Sequence, residues 1–433
     1  MNHRRHRISE DVFAELAVGD GGAGAVRQLA AVERSKHLLL LRGVVERAAA
    51  IGHPDAAMTA GAYDRLAALQ DDAPGPVESV LLYPAVGAWL RSTLLLLDRD
   101  PAHADPGRLA AVAAAAAVRA RAPLTIEARA GGGSLLLPSV GEAHVPDGPA
   151  TVRSTPGGAE IISPGGDVTI PEDHSLDLPR WRGLRRLAVT ANGRALGLVL
   201  DDLDPYRMQA DLADRLPAAD LPGWRTALER AWEILTTHHP ATAAEIQVAH
   251  RVLTPLRSPA HGLVSGTASE TFGAVGLSAP VDGLTLAATL AHEVQHAKLG
   301  ALLDVVALVE PDEGRRFYAP WREDPRPASG LLQGAYAYLG VSAFWRRQRA
   351  HEPGIHPHSE FARWRAGALG AVDTLMTSGL LTPAGKAFAG HMRRVLAGWR
   401  NEPVPPAALA RAQEETQRHL TRWRQANGPR VRG

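Results

Sequence analysis

The sequence of 433 residues contains no cysteine. Without thiols the chain can form no disulfide framework and can hold neither thiolate-bound zinc nor an iron–sulfur cluster, and a cysteine nucleophile is excluded as well. Any metal site must therefore use histidine, aspartate or glutamate. A chain of this length can bury a large core without cross-links, and its length predicts roughly two to three domains.

An excess of charge of either sign is also lacking, since 47 basic residues face 46 acidic ones. This balance argues against extended binding to nucleic acid or to an anionic membrane. The most apolar stretches, 110–118 and 94–97, are far shorter than the roughly 20 residues of a membrane span. The basic start, 1–7, does not lead into the apolar segment of a secretory signal. These features predict a cytoplasmic protein with neither a nucleic-acid nor a membrane partner.

Composition changes twice along the chain and predicts three regions. Residues 1–122 have helical patterns, and residues 206–433 are again mostly helical. Between them, residues 123–205 contain short apolar runs separated by Gly and Pro, which is typical of antiparallel strands. We therefore predict an α+β fold, predominantly helical: an N-terminal helical region, an inserted antiparallel β-rich region and a C-terminal catalytic region.

Local signals sharpen this prediction at three points. Ser9 precedes acidic residues and predicts the N-cap of a first helix. Asn192 and Gly193 stand between two apolar runs, and this pair favours the positive φ angles of a type I′ hairpin turn. Asp282 is the expected N-cap of a long helical segment that follows it.

One motif in that long segment carries chemistry. Residues 292–296 have the sequence His-Glu-Val-Gln-His, the pattern H-E-x-x-H. On a helix, positions i and i+4 share a face, so the imidazoles of His292 and His296 can bind one metal ion at about 2.0–2.1 Å. Glu293 lies next to the first ligand and can reach a water on the metal. The motif predicts a metal-binding helix in a zincin-like, helical catalytic region.

The motif alone does not identify a third metal ligand. Asp304 lies about 12 Å along the helix axis from His296 and could reach the ion only if the helix broke, for instance at Gly300. We prefer Asp324, which lies in a proline-stiffened loop, 320–327, that can return to the helix. An ion pair within the loop is the alternative role for Asp324. The other carboxylates after the helix stay open as candidates: Glu310, Asp312, Glu313 and Glu323.

Two histidines and one carboxylate support two chemistries. With zinc the site would be that of a metallopeptidase, with Glu293 as general base and a metal-bound water as nucleophile. With iron(II) the same ligands form the facial triad of non-haem oxygenases. The motif by itself leaves both open.

The residues around the motif resemble one family. The segments that carry the resemblance are LDDLDPYR (200–207), FGAVGLSAP (272–280), LAATLAHEVQHAKLGALLD (286–304), YAPWREDPRP (318–327) and GLLQG (330–334). They are similar to the HExxH-type, 2-oxoglutarate-dependent peptide β-hydroxylases of ribosomal-peptide natural-product pathways. The resemblance spans most of the chain to about Arg349 and is strongest over 270–345.

This resemblance implies iron(II) bound by His292, His296 and a carboxylate, with 2-oxoglutarate and dioxygen as cosubstrates. It implies a ribosomally made precursor peptide as substrate, hydroxylated at a β-carbon. The distal carboxylate of 2-oxoglutarate needs a cation, and an arginine suits it. Arg326 is the preferred candidate, with Arg322 and Lys298 as alternatives.

The role of Glu293 depends on the reaction. A hydroxylase activates no water, so Glu293 would orient a ligand histidine or a peptide amide; in the alternative, a zinc metallopeptidase, it is the general base. A third hypothesis is a silent peptide-binding module, against which the intact motif argues. Gln295 is expected to pack or hydrogen-bond. The aromatic residues Trp321, Tyr336 and Tyr338 either line a peptide groove or belong to the core.

Overall fold

The computed structural model describes residues 6–260, 263–311 and 314–427, and its fold is mixed α+β, with 55% of residues in helices and 16% in strands. The helices are α1 (Glu10–Ala17), α2 (Gly22–Ala50), α3 (Ala56–Asp72), α4 (Pro74–Leu81), α5 (Pro84–Arg99), α6 (Leu109–Ala120), α7 (Leu221–His238), α8 (Pro240–Ala249), α9 (Gly283–Leu303), α10 (Ala328–Gln348), α11 (His356–Ser378), α12 (Pro383–Trp399) and α13 (Pro406–Asn427). The strands are β1 (Leu124–Ala130), β2 (Ser134–Leu137), β3 (Gly141–His144), β4 (Gly148–Thr155), β5 (Gly158–Ile162), β6 (Val168–Ile170), β7 (Trp181–Gly183), β8 (Arg186–Ala191), β9 (Arg194–Leu200), β10 (Val252–Pro255), β11 (Ser265–Gly266) and β12 (Ala274–Leu277). The coarse prediction of helices, then strands, then mostly helices is confirmed.

The local signals in the sequence are confirmed in detail. Ser9 caps α1, because its side chain accepts the Val12 N–H. Asp282 caps α9 in the same way, with its carboxylate 2.8 Å from the Thr285 nitrogen. The β8–β9 turn has φ of 50° at Asn192 and 71° at Gly193, as a type I′ turn requires.

Three sheets organise the strands. Two of them are antiparallel, with the orders β1-β4-β5-β6 and β2-β3-β7, and both lie within the predicted β-rich region. The third is mixed, with the order β11-β12-β10-β9-β8, and β10 runs parallel to both β9 and β12. The predicted boundary at 205 therefore runs through a sheet, since the β8–β9 hairpin pairs with strands from the following region.

Three buried apolar clusters likewise cross the predicted boundaries. One cluster joins α2–α6 to the two antiparallel sheets. A second surrounds the mixed sheet, α7 and α9, and it includes Val26 of α2. A third joins α9–α12 to α1 and to the start of α2, through Leu16 and Leu29. The regions 1–122, 123–205 and 206–433 thus share their cores.

Helix α9, which carries the motif, lies at the centre of this packing. It contacts α7 and α10 most extensively and also touches α2 and α8. It continues without a break through Gly300 to Leu303, and Asp304 follows as its C-cap. Because the helix is continuous, Asp304 stays near the far end of α9 from the motif.

A buried ion pair fastens α9 to its neighbours. The Nζ of Lys298 lies 3.0 Å from both carboxylate oxygens of Glu245 on α8. It also donates to the backbone oxygens of Gly19 and Asp20, between α1 and α2. One ammonium group therefore ties two other parts of the chain, α8 and the α1–α2 connection, to the motif helix.

The described helices can be compared with the length of a membrane span. Among them, no single helix is long and apolar enough to cross a membrane. The consecutive helices α4 and α5 meet the length and composition criteria only together, with a bend of 62° between them.

Candidate metal centre

The two histidines of the motif face each other at one wall of a cavity. The Nε2 atoms of His292 and His296 are 3.1 Å apart. Two nitrogen ligands at about 2.0–2.1 Å from one ion, with an angle of about 90–110° between them, are about 2.9–3.4 Å apart. The pair therefore already has the separation that a shared metal ion needs.

The protonation of His292 also suits a ligand. Burial, with a smaller contribution from the neighbouring His296, lowers the pKa of His292 to about 3. An imidazole with this pKa is neutral near pH 7 and keeps a lone pair for a metal ion.

Glu293 is buried and held by two hydroxyl groups. Its carboxylate accepts hydrogen bonds from Ser265 Oγ at 2.5 Å and from Thr267 Oγ1 at 2.7 Å. Ser265 and Thr267 occupy alternate positions of an extended segment, so their side chains share a face and reach the same carboxylate. The Oε1 atom of Glu293 lies 3.9 Å from Nε2 of His292. The carboxylate is thus fixed beside the first histidine.

The cavity has a volume of about 600 Å³ and brings most of the predicted site residues together. Its polar lining includes His292, Glu293, His296, Arg322, Arg326 and Gln333. A pocket of this size accommodates a small ligand.

The proline-rich loop returns to α9, as the sequence predicts. An antiparallel bridge between Phe317 and Arg326 closes the loop, with the Arg326 nitrogen 2.9 Å from the Phe317 oxygen. The closed loop places Arg322 and Arg326 in the cavity lining.

Asp324 is not part of that lining, and its carboxylate faces the two arginines. One oxygen lies 2.8 Å from Arg322 Nε and the other 3.0 Å from Arg326 Nη1. Burial alone would raise the pKa of Asp324, but the hydrogen bonds from Arg326 and Arg322 outweigh it and hold the pKa below its usual value. In this structure Asp324 pairs with both arginines, and its role as metal ligand stays a prediction.

The other candidate carboxylates point elsewhere. Asp304 pairs with Lys36 of α2 at 2.8 Å, while Glu310 and Glu323 are exposed and do not line the cavity. Asp312 and Glu313 lie outside the described residues. Across 6–260, 263–311 and 314–427, no group of three His, Asp or Glu residues is placed to hold a metal ion.

Two further motif-helix residues have structural roles. Lys298 is buried and paired with Glu245, so it cannot bind 2-oxoglutarate without leaving an unpaired buried carboxylate. Gln295 is buried and its Nε2 donates to the Gly19 oxygen, as expected for a packing and hydrogen-bonding residue.

The aromatic residues divide between cavity and core. Trp321 and Tyr338 line the cavity. Tyr336 is buried, and its hydroxyl donates to the Leu16 oxygen. The Trp321 ring lies directly over Gly334, where a Cβ would be 2.3 Å from the indole nitrogen. Gly334 therefore allows Trp321 to lie against α10.

Gln333 is a site residue that the sequence analysis missed. Its Oε1 lies 3.2 Å from Nδ1 of His296. An acceptor at Nδ1 places the ring proton there and leaves Nε2 free for a metal ion, which is the usual arrangement around metal-bound histidines. In the sequence, only its place within GLLQG, one of the segments that carry the resemblance, marked Gln333.

We expect the Gln333→Leu variant to weaken metal binding about 10- to 100-fold, because His296 loses the acceptor that fixes its ring. Competition titration with Co²⁺ or Zn²⁺ measures this. Gln333→Glu keeps an acceptor at the same reach and should retain most of the affinity. Unchanged affinity in Gln333→Leu would show that His296 needs no such support.

In comparisons with known proteins, no family model matches the sequence, and no curated protein matches it.

Proposed function

We propose that the protein is an iron(II)- and 2-oxoglutarate-dependent dioxygenase that hydroxylates a β-carbon in a ribosomally made precursor peptide. Such a peptide would meet the enzyme in the cytoplasm. The metal helix α9, with α10 beside it, would form a zincin-like catalytic region. The family resemblance of the sequence suggests this reaction, and the arrangement of the cavity supports it.

One observation carries the proposal. Two guanidinium groups, those of Arg322 and Arg326, line the same cavity as the histidine pair. They share a single carboxylate, Asp324, so the cluster keeps one net positive charge. A dicarboxylate that chelates a metal with one end needs a cation for its other end, and arginine binds carboxylates in a bidentate manner.

His292 and His296 would hold the iron, and their Nε2 separation fits one ion. Bound iron(II) with 2-oxoglutarate supplies activation of dioxygen, so that a substrate C–H bond becomes C–OH while 2-oxoglutarate yields succinate and carbon dioxide. Arg326 would hold the distal carboxylate of the cosubstrate. Glu293, fixed by Ser265 and Thr267, would orient His292 and the peptide.

The proposal is tested without knowledge of the peptide. Under anaerobic conditions, Fe²⁺ and 2-oxoglutarate should together give a weak visible charge-transfer band, which neither gives alone. On admission of oxygen, slow formation of succinate should follow even without substrate. In Arg326→Gln the band should need more 2-oxoglutarate, whereas Arg42→Gln, an exposed arginine paired on α2, should match the wild type. Absence of both band and succinate would refute the proposal.

Asp324→Asn separates the two roles of that residue. As a partner of Arg322 and Arg326, Asp324 competes with a bound carboxylate, so its neutralisation should tighten 2-oxoglutarate binding by roughly fivefold. In that role Asp324 does not touch the metal, and the histidines are unchanged, so metal affinity should stay within about threefold of wild type. Titrations of Co²⁺ and of 2-oxoglutarate measure the two affinities. A clear loss of metal affinity would instead establish Asp324 as the third metal ligand.

A zinc metallopeptidase is the second candidate, and the position of Glu293 favours it. This buried carboxylate lies 3.9 Å from Nε2 of His292, near the place where a metal-bound water would need a base. The two functions differ in their response to Glu293→Gln. A peptidase should lose on the order of 10³-fold or more in activity, since its base is gone. A hydroxylase should keep succinate formation within about tenfold, since Glu293 only orients groups there.

The measurement for this comparison is twofold. Succinate formation is followed with Fe²⁺, and cleavage of an unfolded protein substrate such as casein is followed with Zn²⁺. We expect succinate without cleavage. Zinc-dependent cleavage that vanishes in Glu293→Gln would replace the hydroxylase proposal by the peptidase.

A further inference from the structure

An aromatic wall adjoins the histidine pair. The ring of Tyr338 lies edge to face with that of His292, with centroids 5.1 Å apart and an interplanar angle of 77°. Trp321 stacks on Tyr338 at 4.8 Å, and Trp364 contacts it at 4.2 Å. Aromatic pairs at these separations are well packed and hold their rings in place. Tyr338 is therefore a fixed electron-rich ring next to a proposed metal ligand.

The place of Tyr338 in the cavity makes it different from the other aromatic residues of α10. Tyr338 and Trp321 line the cavity, and Tyr338 touches His292 directly. Tyr336, two residues earlier on the helix, is buried against Phe388, and its hydroxyl donates a hydrogen bond to the Leu16 backbone oxygen. A peptide substrate that enters the cavity would cover Tyr338 but could not reach Tyr336.

Resting on the function proposed above, we infer that Tyr338 is a site of self-modification: when no peptide fills the cavity, oxidation is directed onto its ring. The ring loses one C–H bond and gains one C–O bond, so tyrosine becomes a dihydroxyphenylalanine. The oxygen atom comes from dioxygen, whose other atom enters succinate. 2-Oxoglutarate supplies two electrons as it loses carbon dioxide, and the ring C–H supplies the other two.

The chemistry of the ring supports this choice. A phenol ring is easily oxidised, and the ring of Tyr338 lies directly against that of His292. Trp321 is also oxidisable, but its ring stacks on Tyr338, and within the described part of the chain it makes no ring contact with His292 or His296. Tyr338 is thus the oxidisable ring that contacts the histidine pair directly, through His292.

The first experiment maps oxidation in the whole protein. The protein is incubated with Fe²⁺, 2-oxoglutarate and air in the absence of peptide, then digested, and fragment ions locate any gain of one oxygen atom. We expect the gain at Tyr338 and not at Tyr336, together with succinate. The modified ring should also give a visible iron–catecholate band, which Tyr338→Phe should lack while it still forms succinate.

A second experiment measures how close Tyr338 lies to the bound metal ion and needs no turnover. The sequence has six tyrosines, few enough for ¹⁹F NMR of protein labelled with 3-fluorotyrosine. Paramagnetic Co²⁺ should shift or broaden the resonance of Tyr338, assigned with Tyr338→Phe, far more than that of Tyr336, since these effects fall steeply with distance. Diamagnetic Zn²⁺ is the control.

The outcomes separate the inference from the proposed function. Succinate without oxidation of Tyr338, including oxidation confined to Trp321, overturns the inference and leaves the dioxygenase standing. Cobalt that binds but affects Tyr338 no more than Tyr336 overturns it as well. Absence of both succinate and oxidation overturns the proposed function and the inference with it.

Discussion

Replacement of His292 by alanine should weaken metal binding by on the order of 10²–10³-fold, the share of one ligand in a site bound through a few nitrogen and oxygen atoms. The reason is geometric. His292 and His296 present their Nε2 atoms 3.1 Å apart, and the described part of the chain holds no group of three or more His, Asp or Glu residues placed to bind a metal ion in their stead. Whichever metal is native, the remaining imidazole alone should not hold it.

Metal content after dialysis and a Co²⁺ titration measure this loss. The matched control is His103→Ala, since His103 is exposed and pairs with Asp100 away from the cavity. Thermal unfolding of both variants should remain cooperative, which shows that the loss is one of ligand and not of fold. Wild-type affinity in His292→Ala would mean that the metal, if any, binds elsewhere.

Removal of the Lys298 ammonium should produce the largest loss of stability. In Lys298→Ala the Glu245 side chain, which is 3% exposed, stays buried, but its carboxylate loses the ammonium group that α9 supplies as its partner. Breaking a buried ion pair in this way costs about 3–5 kcal/mol, because an uncompensated charge remains inside. Gly19 and Asp20 lose a donor to their backbone oxygens at the same time.

Denaturant unfolding of the metal-free protein measures this free energy. The double variant Lys298→Met with Glu245→Leu removes both charges and should recover most of the loss. Arg42→Ala breaks an exposed pair on α2 and should change little. Equal stability of Lys298→Ala and wild type would show that the buried charge of Glu245 is neutralised in another way, such as protonation.

His292 and Lys298 also show how much of the site the local sequence can predict. His292 and His296 could be identified because a helix repeats every 3.6 residues, so a spacing of four determines a shared face. Lys298, two positions further on, had no such signal. It was a candidate for binding 2-oxoglutarate until the packing of α8 against α9 showed its partner.

The remaining site residues follow the same division. The sequence predicts Asp324 as the third metal ligand from a loop that returns to α9. The loop does return, and the structure adds that the Asp324 carboxylate pairs with Arg322 and Arg326. Ser265 and Thr267 reach Glu293 from a strand segment 26–28 residues earlier in the chain, and Gln333 reaches His296 from a helix 37 residues later. Sequence patterns over a few residues cannot predict contacts between residues this far apart in the chain.

The sequence by itself determined the caps at Ser9 and Asp282, the hairpin at Asn192, the order of helical and strand-rich regions and the facing histidines. Each depends on backbone geometry within a few residues. Only the tertiary structure decided that the three regions share their cores, that Glu293 is held by Ser265 and Thr267, and which charges pair around the cavity. These arrangements follow from the burial of apolar faces. The hydrophobic effect is not directional, so it brings together segments that are distant in the sequence. The polar groups buried with them must then hydrogen-bond or pair where they meet.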